Sequence, residues 1–182
     1  MITTLNIFPV TIQQIDLSNS PYLETVKTVI SETTTRQHGM IDGVSSWGLT
    51  DFLDDGRLVD LKSQITELVC KYSQLISLPP LVLGNSWYNH QGIGDRVLEH
   101  RHGLSVVSGA LYIECDSSSS GLDFHDPVEP QRQHECIPID YLRFNVPIYP
   151  GLLVLFPSWL GHSTLPTKSP RTVVSFNTNY EK

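Results

Sequence analysis

Apolar positions in the first 80 residues recur at helical spacing. Leu23, Val26 and Ile30 follow Ser20-Pro21, which reads as an N-cap with proline at the first helical position. Leu58, Leu61, Ile65, Leu68, Tyr72 and Leu75 form a longer stripe. It ends before Pro79-Pro80, because proline cannot continue a helix. These stripes predict two helices packed on a core. From Leu81 onward the texture changes to short β-branched or aromatic runs: LVLGNSWYN, DRVLEHRH, SVVSGALYIEC, GLDFHDP, YLRFNVPIY, GLLVLF and RTVVSFNTNY. Gly, Pro, Asp and Ser clusters separate them, which predicts an antiparallel sandwich or barrel. Ser117 to Ser120 with Gly121 reads as a hairpin turn or loop, and polar segment 127–137 as a loop. No internal repeat is present. The expected organisation is one domain over 1–182, helical over about 1–80 and β-rich over about 81–180.

Composition narrows the partners. Of 182 residues, 40% are hydrophobic and 17% charged, which excludes general disorder. A net charge of −7 argues against a sequence-independent grip on nucleic-acid phosphates. Cys70, Cys115 and Cys136 are far apart and form no CxxC pair, so neither a disulfide framework nor a zinc knuckle is expected. The opening MITTLNIFPVTIQQIDL lacks the basic and long apolar regions of a signal peptide, and no apolar run is long enough for a membrane span. A cytoplasmic monomer or homodimer that does not engage membranes is the expectation.

Three pieces carry candidate chemistry. His100-Arg101-His102 places two imidazoles at i and i+2, on one face if the segment is a strand, close enough to share a metal ion. Taken alone, such a pair is more often merely solvated or hydrogen-bonded than metal-binding. His162 follows the apolar run GLLVLF and a Pro-Ser turn, as a ligand or a plain loop histidine. In the last run, alternation puts Arg171, Val173, Ser175 and Asn177 on one face and Thr172, Val174 and Phe176 on the other. Arginine beside serine and asparagine marks either a polar pocket, where a guanidinium grips a carboxylate in bidentate fashion, or an exposed edge strand.

The order of these pieces resembles the iron(II)- and 2-oxoglutarate-dependent oxygenases, in particular the prolyl 4-hydroxylase-like branch and its small oxygenases of phages and bacteria. The resemblance rests on Trp87 and Asn89; His100 and His102; Ser108, Gly109 and Tyr112; Phe156, Pro157, Ser158 and His162; and Arg171, Ser175, Phe176 and Asn177. It spans about half of the chain, and NIFPVTIQQIDL is similar to the first strand of that family.

This resemblance implies a double-stranded β-helix, or jelly roll, with Fe(II) as cofactor and 2-oxoglutarate as co-substrate. It implies His100, His102 and His162 as metal ligands and Arg171 as partner of the far carboxylate of 2-oxoglutarate, with Tyr112 and Ser175 as further contacts. Trp87, Asn89, His125 and Asn177 are the substrate-contact candidates, and Trp87 and Trp159 also suit packing roles. His102 stands where most relatives have a carboxylate. Three imidazoles leave the ion at +2 and also suit Zn(II), Ni(II) and Cu(II). Glu99, Glu114 or Asp126 are the acids that could supply an oxygen, although Glu99 should face away from His100. His38, His90 and His134 read as solvated. The segments Gln91 to Arg96 and Glu129 to Glu135 are expected to frame the mouth. The implied reaction is hydroxylation of a small molecule or protein side chain, with release of succinate and CO2. The alternatives are a cupin-like metal-binding jelly roll without 2-oxoglutarate turnover and a non-enzymatic ligand-binding sandwich.

Overall fold

The alternation at the end of the sequence becomes the central strand of the fold. The computed structural model describes residues 9–128 and 142–181. In chain order the elements are β1 (Gln13–Asp16), α1 (Leu23–Glu32), β2 (Arg36–His38), β3 (Ile41–Ser45), α2 (Val59–Leu75), β4 (Leu81–Gln91), β5 (Val107–Glu114), β6 (Leu122–His125), β7 (Arg143–Val146), β8 (Leu152–Pro157), β9 (His162–Ser163) and β10 (Arg171–Tyr180). One sheet has the order β1-β8-β5-β10-β4-β3-β2 and the other β7-β6-β9. Neighbouring strands pair antiparallel, with β10 between β4 and β5.

Because strand side chains alternate in direction, the large sheet has two different faces. Val107, Leu111, Leu153, Leu155, Val174 and Phe176 point toward the helices and join Leu61, Ile65, Val69 and Tyr72 of α2 in one core. Ala110, Tyr112, Val154, Phe156 and Val173 point the other way, against Leu122, Phe124 and Val146 of the small sheet. Each fully buried aliphatic side chain contributes about 1.5–3 kcal/mol. The result is a mainly β chain with N-terminal helices, folded as a double-stranded β-helix (jelly roll). None of its described helices is long and apolar enough to cross a membrane.

Several local expectations change. Helix α1 starts at Leu23 rather than Pro21: the Ser20 N–H donates to Leu17 O at 2.8 Å and closes a turn that leaves Ser20 outside the helix. Leu75 is 61% exposed, and Ile76 packs on the core instead. The first 80 residues also hold three strands. β2 and β3 form a hairpin whose residues are too polar to show an apolar alternation. DRVLEHRH is not a strand; it makes only single bridges, Val97 to Ile41 and His100 to His162.

Candidate metal and co-substrate site

His100 and His102 belong to the segment joining β4 to β5, and His162 opens β9. Backbone bonds hold them together. The His100 N–H donates to His162 O at 3.0 Å, the His162 N–H returns the bond to His100 O at 3.1 Å, and the His102 N–H donates to Ser158 O at 2.9 Å. The convergence predicted from two residues on one strand face is achieved instead by pairing of two separate segments. Ring centroids lie 4.2 Å apart for His100 and His162, 5.0 Å for His100 and His102, and 5.1 Å for His102 and His162.

Tautomers follow from the second ring nitrogens. Nδ1 of His100 lies 2.9 Å from Leu98 O, and Nδ1 of His162 lies 3.0 Å from Leu160 O. A carbonyl only accepts, so both Nδ1 atoms carry the proton and both Nε2 lone pairs are free. The Nε2 atoms of His102 and His162 are 3.3 Å apart, and one ring nitrogen from each of the three histidines lies within 4.8 Å of the others. Two nitrogens bound to one ion at about 2.1 Å would be separated by about 3.0–3.4 Å, so the spacing fits a shared metal.

Burial and mutual repulsion keep the cluster neutral. Burial lowers the pKa of His100, holds His102 at about 4 and holds His162 at about 3, with the neighbouring imidazoles adding to the effect. An unfolded imidazole takes its proton near pH 6.5. Between the folded and unfolded values the unfolded chain binds more protons, so the stability is present above pH 6.5 and is lost as pH falls. The metal-free protein is therefore expected to lose Tm between pH 7.5 and 5, more steeply than His162→Ala. Parallel Tm profiles for the two proteins would contradict this.

A cavity of about 590 Å³ contains the three histidines, and among the described residues no Asp or Glu lines it. The three candidate acids are engaged elsewhere. Glu99 lies 3.3 Å from His125 Nδ1 and 3.8 Å from Arg101, Glu114 accepts from Thr172 Oγ1 at 3.2 Å, and Asp126 lines a separate cavity. Arg171 lines the main cavity and is 2% exposed. Its Nε donates to Gln91 Oε1 at 2.6 Å and its Nη1 to Ser120 O at 2.8 Å, both neutral acceptors. Tyr112 lies beside it, with the guanidinium carbon 5.9 Å from the ring centroid. Among the described residues Arg171 has no carboxylate partner.

The structure brings Trp87, Asn89, Tyr112, Ser175 and Asn177 into the same cavity. Trp87 sits between Trp47, at 4.3 Å, and His102, at 5.9 Å between centroids. His125 is not brought there: its Nε2 lies 2.8 Å from Ser163 Oγ, and it lines the separate cavity with Asp126. Trp159 is 52% exposed and does not line the main cavity, and neither does any residue of 91–96, where Gly94 and Asp95 are tied to Thr167. Segment 129–135, with His134, lies outside the described residues. His38, expected in solvent, lies on β2 and lines the cavity near Trp47, and His90 Nδ1 is 2.9 Å from Thr172 Oγ1. Gln91 was read only as the start of a mouth segment and Ser120 only as part of a turn, since nothing in the sequence signals the partners of a buried guanidinium.

Pairing of β5 with β10 explains two of the motifs together. Gly109 faces Phe176, and Ser108 faces Asn177. A Cβ on Gly109 would stand 2.1 Å from Phe176 Cζ, so the glycine makes room for the ring. Ser108 Oγ donates to Asn177 Oδ1 at 2.8 Å and accepts from Ser158 Oγ at 2.8 Å.

A jelly roll with three convergent imidazoles and a buried arginine in one cavity defines a class of metal-dependent oxygenases, and comparison with known proteins agrees. Residues 85–177 match the model of the family described as "Putative 2OG-Fe(II) oxygenase", half of the chain, and the protein belongs to that family. Its fold is similar to that of a prolyl-4-hydroxylase from Pseudomonas putida, at 14% identity and TM-score 0.65, covering 95% of this chain and 94% of that one. It is also similar to SnoN, an alpha ketoglutarate-dependent epimerase from nogalamycin biosynthesis, at 14% identity and TM-score 0.67, with coverage of 94% and 78%. A third similar structure is HygX from Streptomyces hygroscopicus, solved with nickel and 2-oxoglutarate, at 10% identity and TM-score 0.68, with coverage of 94% and 83%. No curated protein matches the chain in sequence.

Proposed function

We propose that this protein is a single-domain hydroxylase that uses Fe(II) and 2-oxoglutarate to oxidise a small molecule or a protein side chain, releasing succinate and CO2. The observation that carries the reading is Arg171, a buried guanidinium without a carboxylate partner among the described residues, in one cavity with three neutral imidazoles. His100, His102 and His162 would hold the iron, which when bound would activate oxygen at the expense of 2-oxoglutarate. The bonds from His100 and His162 to Leu98 O and Leu160 O keep both Nε2 atoms unprotonated and aimed inward. Arg171 takes the far carboxylate of the co-substrate in charge-assisted hydrogen bonds. Burial raises the pKa of Tyr112, so its hydroxyl stays a donor at neutral pH and shares that carboxylate with Ser175. His102 in place of a carboxylate leaves the site one charge more positive, and the dianionic co-substrate compensates. Trp87, Asn89 and Asn177 border the substrate space, where Asn89 Oδ1 is buried and unpaired. A cytoplasmic location suits the absence of a cysteine framework.

A cupin-like metal site would leave Arg171 without a role, and a plain binding sandwich would leave the histidines without one. Protein loaded anaerobically with Fe(II) and then exposed to oxygen is expected to convert 2-oxoglutarate to succinate slowly, even without substrate. Arg171→Ala should lose that turnover. No succinate, together with no visible charge-transfer band on adding 2-oxoglutarate, would overturn the reading.

A further inference from the structure

Gln91 and Ser120 hold Arg171 beside Tyr112, and each of these two holders carries an unmet hydrogen-bonding atom. Gln91 is fully buried, and its orientation is fixed by chemistry: a guanidinium only donates, so the atom 2.6 Å from Arg171 Nε is the amide oxygen. The amide nitrogen then has no partner, and neither does Ser120 Oγ. Four buried side-chain atoms among the described residues are orphaned in this way, and two of them belong to the holders of Arg171.

A carboxylate would be the ordinary companion of an arginine buried this deeply, because unpaired charges are rarely buried. Position 91 offers the same shape and the same acceptor oxygen as a glutamate, without the charge. Ser120 contributes a neutral carbonyl. The guanidinium is thus oriented by Gln91 and Ser120, with Tyr112 beside it, and neutralised by none of them.

We propose that Gln91 is a positioning residue that holds Arg171 without neutralising it, keeping the full positive charge for the carboxylate end of the co-substrate. This rests on the reading of Arg171 as the carboxylate anchor. It follows that affinity for a dicarboxylic co-substrate depends on the absence of one negative charge at position 91, and that the ligand-free protein carries an unbalanced buried cation.

Gln91→Glu changes the amide to a carboxylate of the same size and keeps the bond to Arg171 Nε. A merely structural Gln91 predicts that this variant is nearer to wild type than Gln91→Ala, which loses volume and acceptor together. Charge reservation predicts the reverse order, because the new carboxylate occupies the cation internally. Titration calorimetry of 2-oxoglutarate into nickel-loaded protein is expected to give a Kd raised about thirtyfold or more in Gln91→Glu, and less in Gln91→Ala. The Tm of ligand-free Gln91→Glu should equal or exceed that of wild type. Binding by Gln91→Glu as tight as by Gln91→Ala, or tighter, or a fall in its Tm, would overturn the inference about Gln91. Arg171→Gln serves as the control: if it binds 2-oxoglutarate like wild type, the assignment of Arg171 fails instead.

Discussion

Replacing His162 with alanine is expected to abolish metal binding and succinate formation while leaving the fold intact. The cavity offers no substitute ligand, since no Asp or Glu among the described residues lines it and Glu99 is tied to His125 and Arg101. Losing a hydrogen bond behind a ligand typically costs 10–100-fold in affinity, and losing the ligand itself should cost about a thousandfold or more. The backbone bonds between residues 162 and 100 survive the substitution, because they involve only N–H and C=O groups. Equilibrium dialysis with Ni(II) or Fe(II), beside a circular dichroism spectrum, separates the two effects. Near-normal metal uptake by a folded His162→Ala protein would remove this histidine from the ligand set.

The second large effect concerns stability. Gly109→Ala should destabilise the protein by about 3 kcal/mol or more, at the severe end for overpacking. The new Cβ would meet three atoms of the Phe176 ring at 2.1, 2.6 and 2.6 Å, and neither side can retreat. Phe176 is fully buried against Leu111 and Val174, and Gly109 is hydrogen-bonded between β8 and β10. A smaller ring partner should relieve the clash. Phe176→Leu, destabilising by itself, is expected to cost less in the Gly109→Ala background than in wild type. Urea denaturation of the four proteins measures this coupling, and simple additivity would show that the ring and the glycine do not share the space as described. The pair also bears on the site, since Ser108 and Asn177 are the adjoining register positions.

Legibility in the sequence followed the physics of each feature. Six of the seven runs read as strands, β4, β5, β6, β7, β8 and β10, are strands, and the stripe over Leu58 to Tyr72 packs on the core along α2. Short apolar or aromatic runs between turn residues and a helical stripe both leave a local trace. Only the run DRVLEHRH misled, since Val97 and His100 pair with single residues and the segment has no ladder of its own. β2 and β3 were hidden because a polar hairpin carries no apolar alternation. At the site, the face shared by Arg171, Val173, Ser175 and Asn177 could be read from alternation alone, and the structure puts all four on the cavity wall. What alternation could not supply was distance across the fold. Gln91 meets Arg171 because β4 and β10 pair at that register, whereas His125 turns toward Ser163 because β6 pairs with β9. Those pairings join residues tens of positions apart, and no local pattern encodes them.

The reciprocal backbone bonds between His100 and His162 have a practical consequence. A pocket assembled by the main chain does not wait for an ion in order to form, so the ion can leave and return without the chain coming apart. Occupancy is then governed by supply and by intrinsic affinity, and three imidazoles rank copper, nickel and zinc ahead of iron. A preparation eluted from a nickel column would carry nickel and be inert for a reason unrelated to its sequence. The working form of the protein would then be set by which competing metals are scarce where it acts.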